Sequence, residues 1–258
     1  NICLKKNILI IKDLAQTFVI PNSKKINFSN QSDISVISFG PTKVLDIGGG
    51  GGLLTDNDAL AIKARKMLRK INIFNYETEQ LKKIYKNLYY FVIDGVNQND
   101  NYYKLYDIFP NIFKNLFINK IDNSTAAKID SALTNLEDEI KHRVKIFRIY
   151  QNGFSKNKYI ILFDPKKNFV PWRFSFRVNK KIRNKLLSEV RKNGYDISSW
   201  YPGVRRFSHY GRKLRIQDFL ISEKIEKEIV NLWVTKKYSK NKAYKLVKLI
   251  NKILKKIH

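Results

Sequence analysis

Ser38 and Lys43 stand five positions apart, with Asp46 and then five consecutive glycines, Gly48 to Gly52, directly behind them. Together these types can do chemistry. A lysine amine can hold the carbonyl carbon of an aldehyde cofactor as a Schiff base and afterwards shuttle a proton between reacting carbons. A serine hydroxyl can donate to a phosphate, and glycines let a backbone come close to a cofactor. Asp13 adds a carboxylate where the run Ile8-Leu9-Ile10-Ile11 ends. A carboxylate beside a pyridine-type nitrogen keeps it protonated, because the opposite charge favours the cationic form. Read from Val44 instead, the same stretch is an acid followed by a glycine turn, the form of a loop for a nucleotide-type cofactor.

The elements that must position these residues follow from hydrophobic spacing. Ile8 to Ile11 reads as a buried strand ending at Lys12-Asp13, and Ile34 to Phe39 as a second strand after the polar loop from Pro21 to Ser32. Leu53-Leu54-Thr55 is a brief third. Thr55 and Asp58 have the spacing of a capping box that opens a helix from Asp58 to Lys70. Residues 71–118, rich in Tyr, Phe, Asn and Lys, read as helical pieces with loops.

From Ser124 to Tyr150 the apolar positions Ile129, Leu133, Leu136, Ile140, Val144 and Phe147 predict one long helix. Tyr159 to Phe163 and Arg173 to Val178 read as strands. Lys180 to Lys192 reads as a helix stopped by Asn193-Gly194. Glu223 to Leu232 and Lys240 to Ile257 read as two further helices. There is no internal repeat. The expected architecture is an α/β part over residues 1–118, followed by a connecting helix and a smaller α+β part over residues 119–258.

At 258 residues the chain can bury a core as one large domain or two modest ones. The single cysteine, Cys3, excludes an internal disulfide framework and a cysteine-built zinc site, so a reduced, cytoplasmic setting is the expectation. His142, His209 and His258 have no ligand spacing, and no metal is expected. No stretch approaches the roughly 18 apolar residues of a membrane span. Lys5, Lys6, Lys12 and Asp13 break up any signal-peptide pattern. The start at Asn1, close to a strand-like run, suggests a fragment. Fifty Lys+Arg against 22 Asp+Glu give a formal charge of +28. Such a balance attracts polyanions, yet the cations form no block or stripe, as in a chain drifting toward lysine, asparagine and isoleucine. Nucleic acid is therefore not the expected partner, although a phosphate-bearing substrate is still attracted.

Two families match the glycine stretch. Val44 to Gly52 resembles the first motif of class I S-adenosylmethionine methyltransferases, an acid and a glycine turn after a strand. Downstream that match weakens: a helix cap intervenes at Thr55 to Asp58, and the next strand-borne acid, Glu77, lies 31 positions after Asp46. A dinucleotide G-x-G-x-x-G fails because Leu53 occupies its last position. Glycines that merely let two backbones approach remain a third reading.

More of the chain is similar to the DegT/DnrJ/StrS family of pyridoxal-phosphate (PLP) aminotransferases, which act mostly on nucleotide-linked keto sugars. The resemblance runs through Ile10 to Gln16, Ser32-Asp33, Ser38 to Lys43 and Gly48 to Thr55. It continues through Ala126-Ala127 and the long helix to Ser199-Trp200-Tyr201-Pro202 and Asn231 to Val234. It implies a fold-type-I transferase: the C-terminal part of a large PLP-binding domain, then a small domain.

For the residues, the resemblance implies Lys43 as the catalytic Schiff-base lysine, with Asp13 on the ring nitrogen, Gln16 near the ring and Ser38 on the cofactor phosphate. Tyr201 and Lys120 would face substrate. It also implies a homodimer, an amino-acid donor such as glutamate, and a nucleotide-sugar acceptor. Dehydratases of the family replace the lysine that is present here. Three departures stand out: Gly49 replaces a glutamate, Asp46-Ile47 replace small hydroxyl residues, and Ile118-Asn119-Lys120 replaces an Asn-aromatic-Arg segment. They keep open a catalytically degenerate member, and the charge keeps open a basic nucleic-acid-binding module.

Overall fold

The computed structural model describes residues 2–18, 32–96, 100–164, 169–200, 203–207 and 209–257. A short helix, α1 (Ile2–Lys5), leads into β1 (Ile11–Asp13). This strand lies parallel to β2 (Ile34–Ser38), which pairs antiparallel with β3 (Gly51–Leu54) to complete a three-stranded sheet. The strand residues alternate in environment. Ser35 and Ile37 of β2 are buried, whereas Val36 is 38% exposed. Asp13 is the register partner of Val36, so Asp13, Val36 and Ser38 share the open face. Beneath the other face lies a core of Leu14, Ile37, Phe39, Val44, Leu45, Ile129, Leu136 and Ile140. The expected buried strand at Ile8 to Ile11 is not buried: Ile8, Leu9 and Ile11 are exposed. Among the described residues β1 pairs only with β2 and is an edge strand of its sheet.

Helix α2 (Asp58–Arg69) is capped by Asn57, whose side chain accepts the Leu60 N–H at 3.0 Å. Thr55 is therefore not the cap. Its hydroxyl instead donates to the Asp33 carbonyl at 2.6 Å, tying the end of β3 back to the start of β2. Asp58 still favours the first turn through the helix dipole.

The aromatic stretch is helical, as its composition suggested. It comprises α3 (Tyr76–Val96), a 3₁₀ segment over Asp100–Asp107, α4 (Phe109–Ile112) and α5 (Lys114–Phe117). Val92, Phe109 and Phe113 form its own small core, with Tyr85 packed edge-on against both phenylalanines.

The expected single helix from Ser124 to Tyr150 is two: α6 (Asn123–Thr134) and α7 (Leu136–Phe154). The break falls at Asn135. The Thr134 hydroxyl and the Asn135 amide both donate to the Ser131 carbonyl, competing with continuation of the backbone ladder.

A second sheet follows, ordered β4-β5-β7-β6 and antiparallel throughout. Its strands β4 (Ile161–Leu162) and β5 (Phe174–Arg177) precede α8 (Lys180–Lys192), and β6 (Ile197–Ser198) precedes α9 (His209–Lys213) and α10 (Leu220–Glu228). The reading of Glu223 to Leu232 as one helix is overturned. Its last four residues are β7 (Ile229–Leu232), an inner strand buried along its whole length. Helical spacing loses there because Phe174 to Arg177 on one side and Ile197-Ser198 on the other offer pairing to an apolar, β-branched run.

The chain closes with α11 (Lys240–Ile257). Ala243, Leu246, Val247, Ile250, Ile253 and Leu254 make its apolar stripe against the small-sheet core. Gly153 of α7 allows this close approach, since a Cβ there would lie 2.5 Å from Val247 Cγ1. No described helix is long and apolar enough to cross a membrane.

Candidate active site

Lys43 sits in the connection between β2 and β3. The last ladder pair is Ser38 with Gly51, so residues 39–50 hang from the sheet's end as a loop. That end is also where β1 finishes. Parallel neighbours place their carboxyl ends together, which is where α/β sheets collect ligand-binding groups. Asp13, Ser38 and Lys43 thus reach the same rim for a topological reason.

The loop is held internally at several points. Phe39 N–H donates to the Gly50 carbonyl and Ile47 N–H to the Phe39 carbonyl, both at 3.0 Å. Asp46 accepts the Thr42 N–H at 2.8 Å and the Gly48 N–H at 3.0 Å, so its carboxylate is spent on closing the loop. Gly48 and Gly50 adopt φ of 85° and 90°, where a side chain is strained. At Gly50 a Cβ would also lie 3.0 Å from Ile121 Cγ2.

These facts overturn the methyltransferase reading. Lys43 to Gly50 is a loop where that motif needs a strand, and a strand rather than a helix follows the glycines.

The Lys43 amine is half-buried. Burial holds it below the ordinary lysine range, and the nearby Asp13 carboxylate pulls the other way. The two groups therefore lie within electrostatic range on one rim. The Asp13 carboxylate is itself oriented: its Oδ1 accepts the Ala15 N–H at 2.8 Å, leaving Oδ2 for a further donor. Gln16, the residue after Ala15, is exposed. Ser38 Oγ accepts the Gly40 N–H at 3.3 Å, and its own hydrogen remains available to donate to an anion.

The two substrate candidates fare differently. Lys120 is bridged through its backbone to Ile73, and its N–H and carbonyl bond Asn72 and Phe74 at 2.9 and 2.8 Å. It lies next to Ile121, which packs on Gly50, and so stands on the glycine-turn side of the loop. Tyr201, with Pro202, lies outside the described residues. The preceding Trp200 is held by its N–H to Asn231 Oδ1 at 2.7 Å and stacks on Tyr89, rings 5.8 Å apart. Arg205, four residues beyond Tyr201, is half-buried and bonded to Glu223 at 2.9 Å.

Three residues of the site escape sequence reading. Lys82 donates to the Gly48 carbonyl at 2.8 Å, Trp172 Nε1 to the Thr42 carbonyl at 2.7 Å, and Arg143 to the carbonyls of Lys43 and Val44 at 3.2 and 3.0 Å. Each reaches the lysine loop from a distant element. The only sequence signal was a charged residue, Arg143, on the apolar face of a predicted helix.

The fold recurs in solved structures. Aminotransferase TlmJ from Streptoalloteichus hindustanus matches at TM-score 0.68 and 16% identity, covering all of this chain and 61% of its own. DesV of S. venezuelae, determined with a ketimine intermediate, matches at 0.68 and 17%, with coverage of 99% and 60%. A DegT DnrJ EryC1 StrS aminotransferase from Brucella abortus matches at 0.64 and 17%, with coverage of 98% and 59%. This chain thus spans about three fifths of the length of these solved relatives. A search among curated proteins finds no match. The fold is that of the PLP-dependent fold-type-I aminotransferases. A family model extends over residues 1–251, and the chain belongs to the DegT/DnrJ/EryC1/StrS aminotransferase family.

Proposed function

We propose that this chain is the lysine-bearing part of a PLP-dependent aminotransferase that moves an amino group, supplied by an amino acid such as glutamate, onto a nucleotide-linked keto sugar. The observation that carries the reading is the rim shared by Lys43 and Asp13, with the amine depressed by burial and the carboxylate acting on it. The residues present fit the cofactor. An amine shifted toward its neutral form can hold an aldehyde, an oriented carboxylate has an oxygen to offer a ring N–H, and a serine hydroxyl is free to donate to phosphate. When bound, PLP supplies an aldehyde carbon that carries the amino group and a conjugated ring that accepts electron density.

The chain's own groups do the rest. Lys43 Nζ would hold PLP at its aldehyde carbon and, when free of it, would carry the proton between substrate and cofactor carbons. Asp13 keeps the ring nitrogen protonated, and Gln16 lines the same rim. Ser38 anchors the phosphate, while Lys120 and Tyr201 meet the substrate. The cationic balance of the chain supports an anionic, phosphate-linked acceptor. We further propose a cytoplasmic homodimer, and a division near residue 118 between a PLP-binding part and a connecting helix with a small domain.

The test is reduction with borohydride after mixing with PLP, followed by peptide mapping. Attachment at Lys43, absent in Lys43→Ala, supports the reading. Attachment that persists in Lys43→Ala refutes it.

A further inference from the structure

We propose that Arg143 is the positioning residue for Lys43, a clamp reaching from α7 that fixes the loop backbone and so aims the amine at the open face of the sheet. The inference rests on Lys43 being the cofactor-holding amine, and adds a residue that never touches the cofactor.

Arg143 is 1% exposed. A buried guanidinium needs a reason and a full set of partners, because an isolated buried charge is strongly unfavourable. Here every nitrogen is used. Nε bonds Glu139 Oε1 at 2.8 Å, one turn back on α7. Nη1 donates to the Trp172 and Pro171 carbonyls at 3.1 and 3.4 Å, and Nη2 to the Lys43 and Val44 carbonyls. With Trp172 Nε1 on the Thr42 carbonyl, three successive carbonyls of the loop are satisfied by groups about 100 residues or more away in sequence.

The loop's own bonds do not reach these carbonyls, and Val44 is buried. Without Arg143 they turn inward with no donor, and an unsatisfied buried carbonyl is unfavourable. The direction of the lysine stem follows from its Cα–Cβ bond, and that bond from the carbonyl frame. A lysine at position 143 cannot reproduce the effect, since its ammonium lacks the planar fork that serves two segments at once. Burial pulls the Arg143 guanidinium down while Glu139 and Asp46 oppose it, and the group stays charged at any working pH.

The test needs no cofactor. Competitive acetylation across pH, read by mass spectrometry of the Lys43 peptide, follows the amine in the free protein. Three variants are compared with the parent: Arg143→Lys, the double variant Arg143→Met with Glu139→Gln, and Arg177→Met. The double change removes both charges together, so no carboxylate is stranded. The third breaks the Arg177–Glu228 pair of the small sheet, bonded at 2.6 Å and remote from the loop.

The expected result is an upward shift of the Lys43 titration in the double variant, with reactivity near pH 8 lowered about threefold or more, and a partial shift in Arg143→Lys. Arg177→Met loses stability and keeps the parental Lys43 profile. A parental profile in the double variant overturns the proposal, as does an equal shift in Arg177→Met. Failure of the PLP reading would appear separately, as absent borohydride trapping at Lys43 in the parent, with the acetylation comparison still decisive for the clamp.

Discussion

The indole N–H of Trp172 meets the carbonyl of Thr42 at 2.7 Å, although 130 residues separate them in sequence. Thr42 has φ of 69°, a left-handed conformation that a β-branched residue resists. Substituting Trp172→Phe keeps the ring and removes the donor. The unfolding free energy should fall by about 1–2 kcal/mol, measured by urea denaturation. An unchanged midpoint would show that Thr42 holds its conformation without that bond.

Asp46 gathers two loop N–H groups on one carboxylate. Asp46→Asn retains an acceptor and should lose about half the stability lost by Asp46→Ala, which is expected at roughly 1–3 kcal/mol. Equal losses in the two variants would assign the effect to charge rather than to hydrogen bonding.

Gly48 and Gly50 separate backbone strain from crowding. Both have positive φ, but a Cβ at Gly48 meets nothing within 4 Å, while one at Gly50 meets Ile121 and Ile129 at 3.0 and 3.2 Å. Gly48→Ala should lose about 1 kcal/mol from conformation alone. Gly50→Ala should lose clearly more, since crowding of a packed core adds roughly 1–3 kcal/mol. Identical losses in thermal melts would mean that the isoleucines yield freely.

The lowered Lys43 pKa makes stability depend on pH in a definite direction. Between its folded value and the ordinary value of about 10.4, the unfolded chain binds more protons than the folded one, so stability rises with pH through that window. Below the window the partly desolvated ammonium is a standing penalty. Lys43→Met should therefore melt about 1–2 °C above the parent near pH 7–8, with the gap closing as pH approaches about 10.4. A gap that widens with pH contradicts the assigned direction.

Some elements announce themselves locally. The helices Lys180–Lys192 and Lys240–Ile257 carry an unbroken apolar stripe, and Gly194 with φ of 78° supplies the stop expected for the first. That Lys43 and Asp13 come to one rim follows from strand placement, since Asp13 ends β1 and Lys43 lies in the loop after β2. Ile229 to Leu232 were misread because Ile225, Ile229 and Leu232 also suit helical spacing. Their fate was decided by Phe174 to Arg177, some 55 positions away. Arg143, Trp172 and Lys82 were missed on the same account, because a donor whose acceptor lies far along the chain leaves no short-range trace.

Lys82 and Tyr89 stand on one helix, α3, about 10 Å apart along its axis, the first gripping the Gly48 carbonyl and the second stacked on Trp200. The helix is accordingly a strut between the glycine turn and the segment leading to Tyr201. Its two grips fall on the lysine loop at Gly48 and on the segment that follows β6 at Trp200. One helix thus serves both ends of the site, and a substitution that unseats α3 disturbs the glycine turn and the Trp200 stack together.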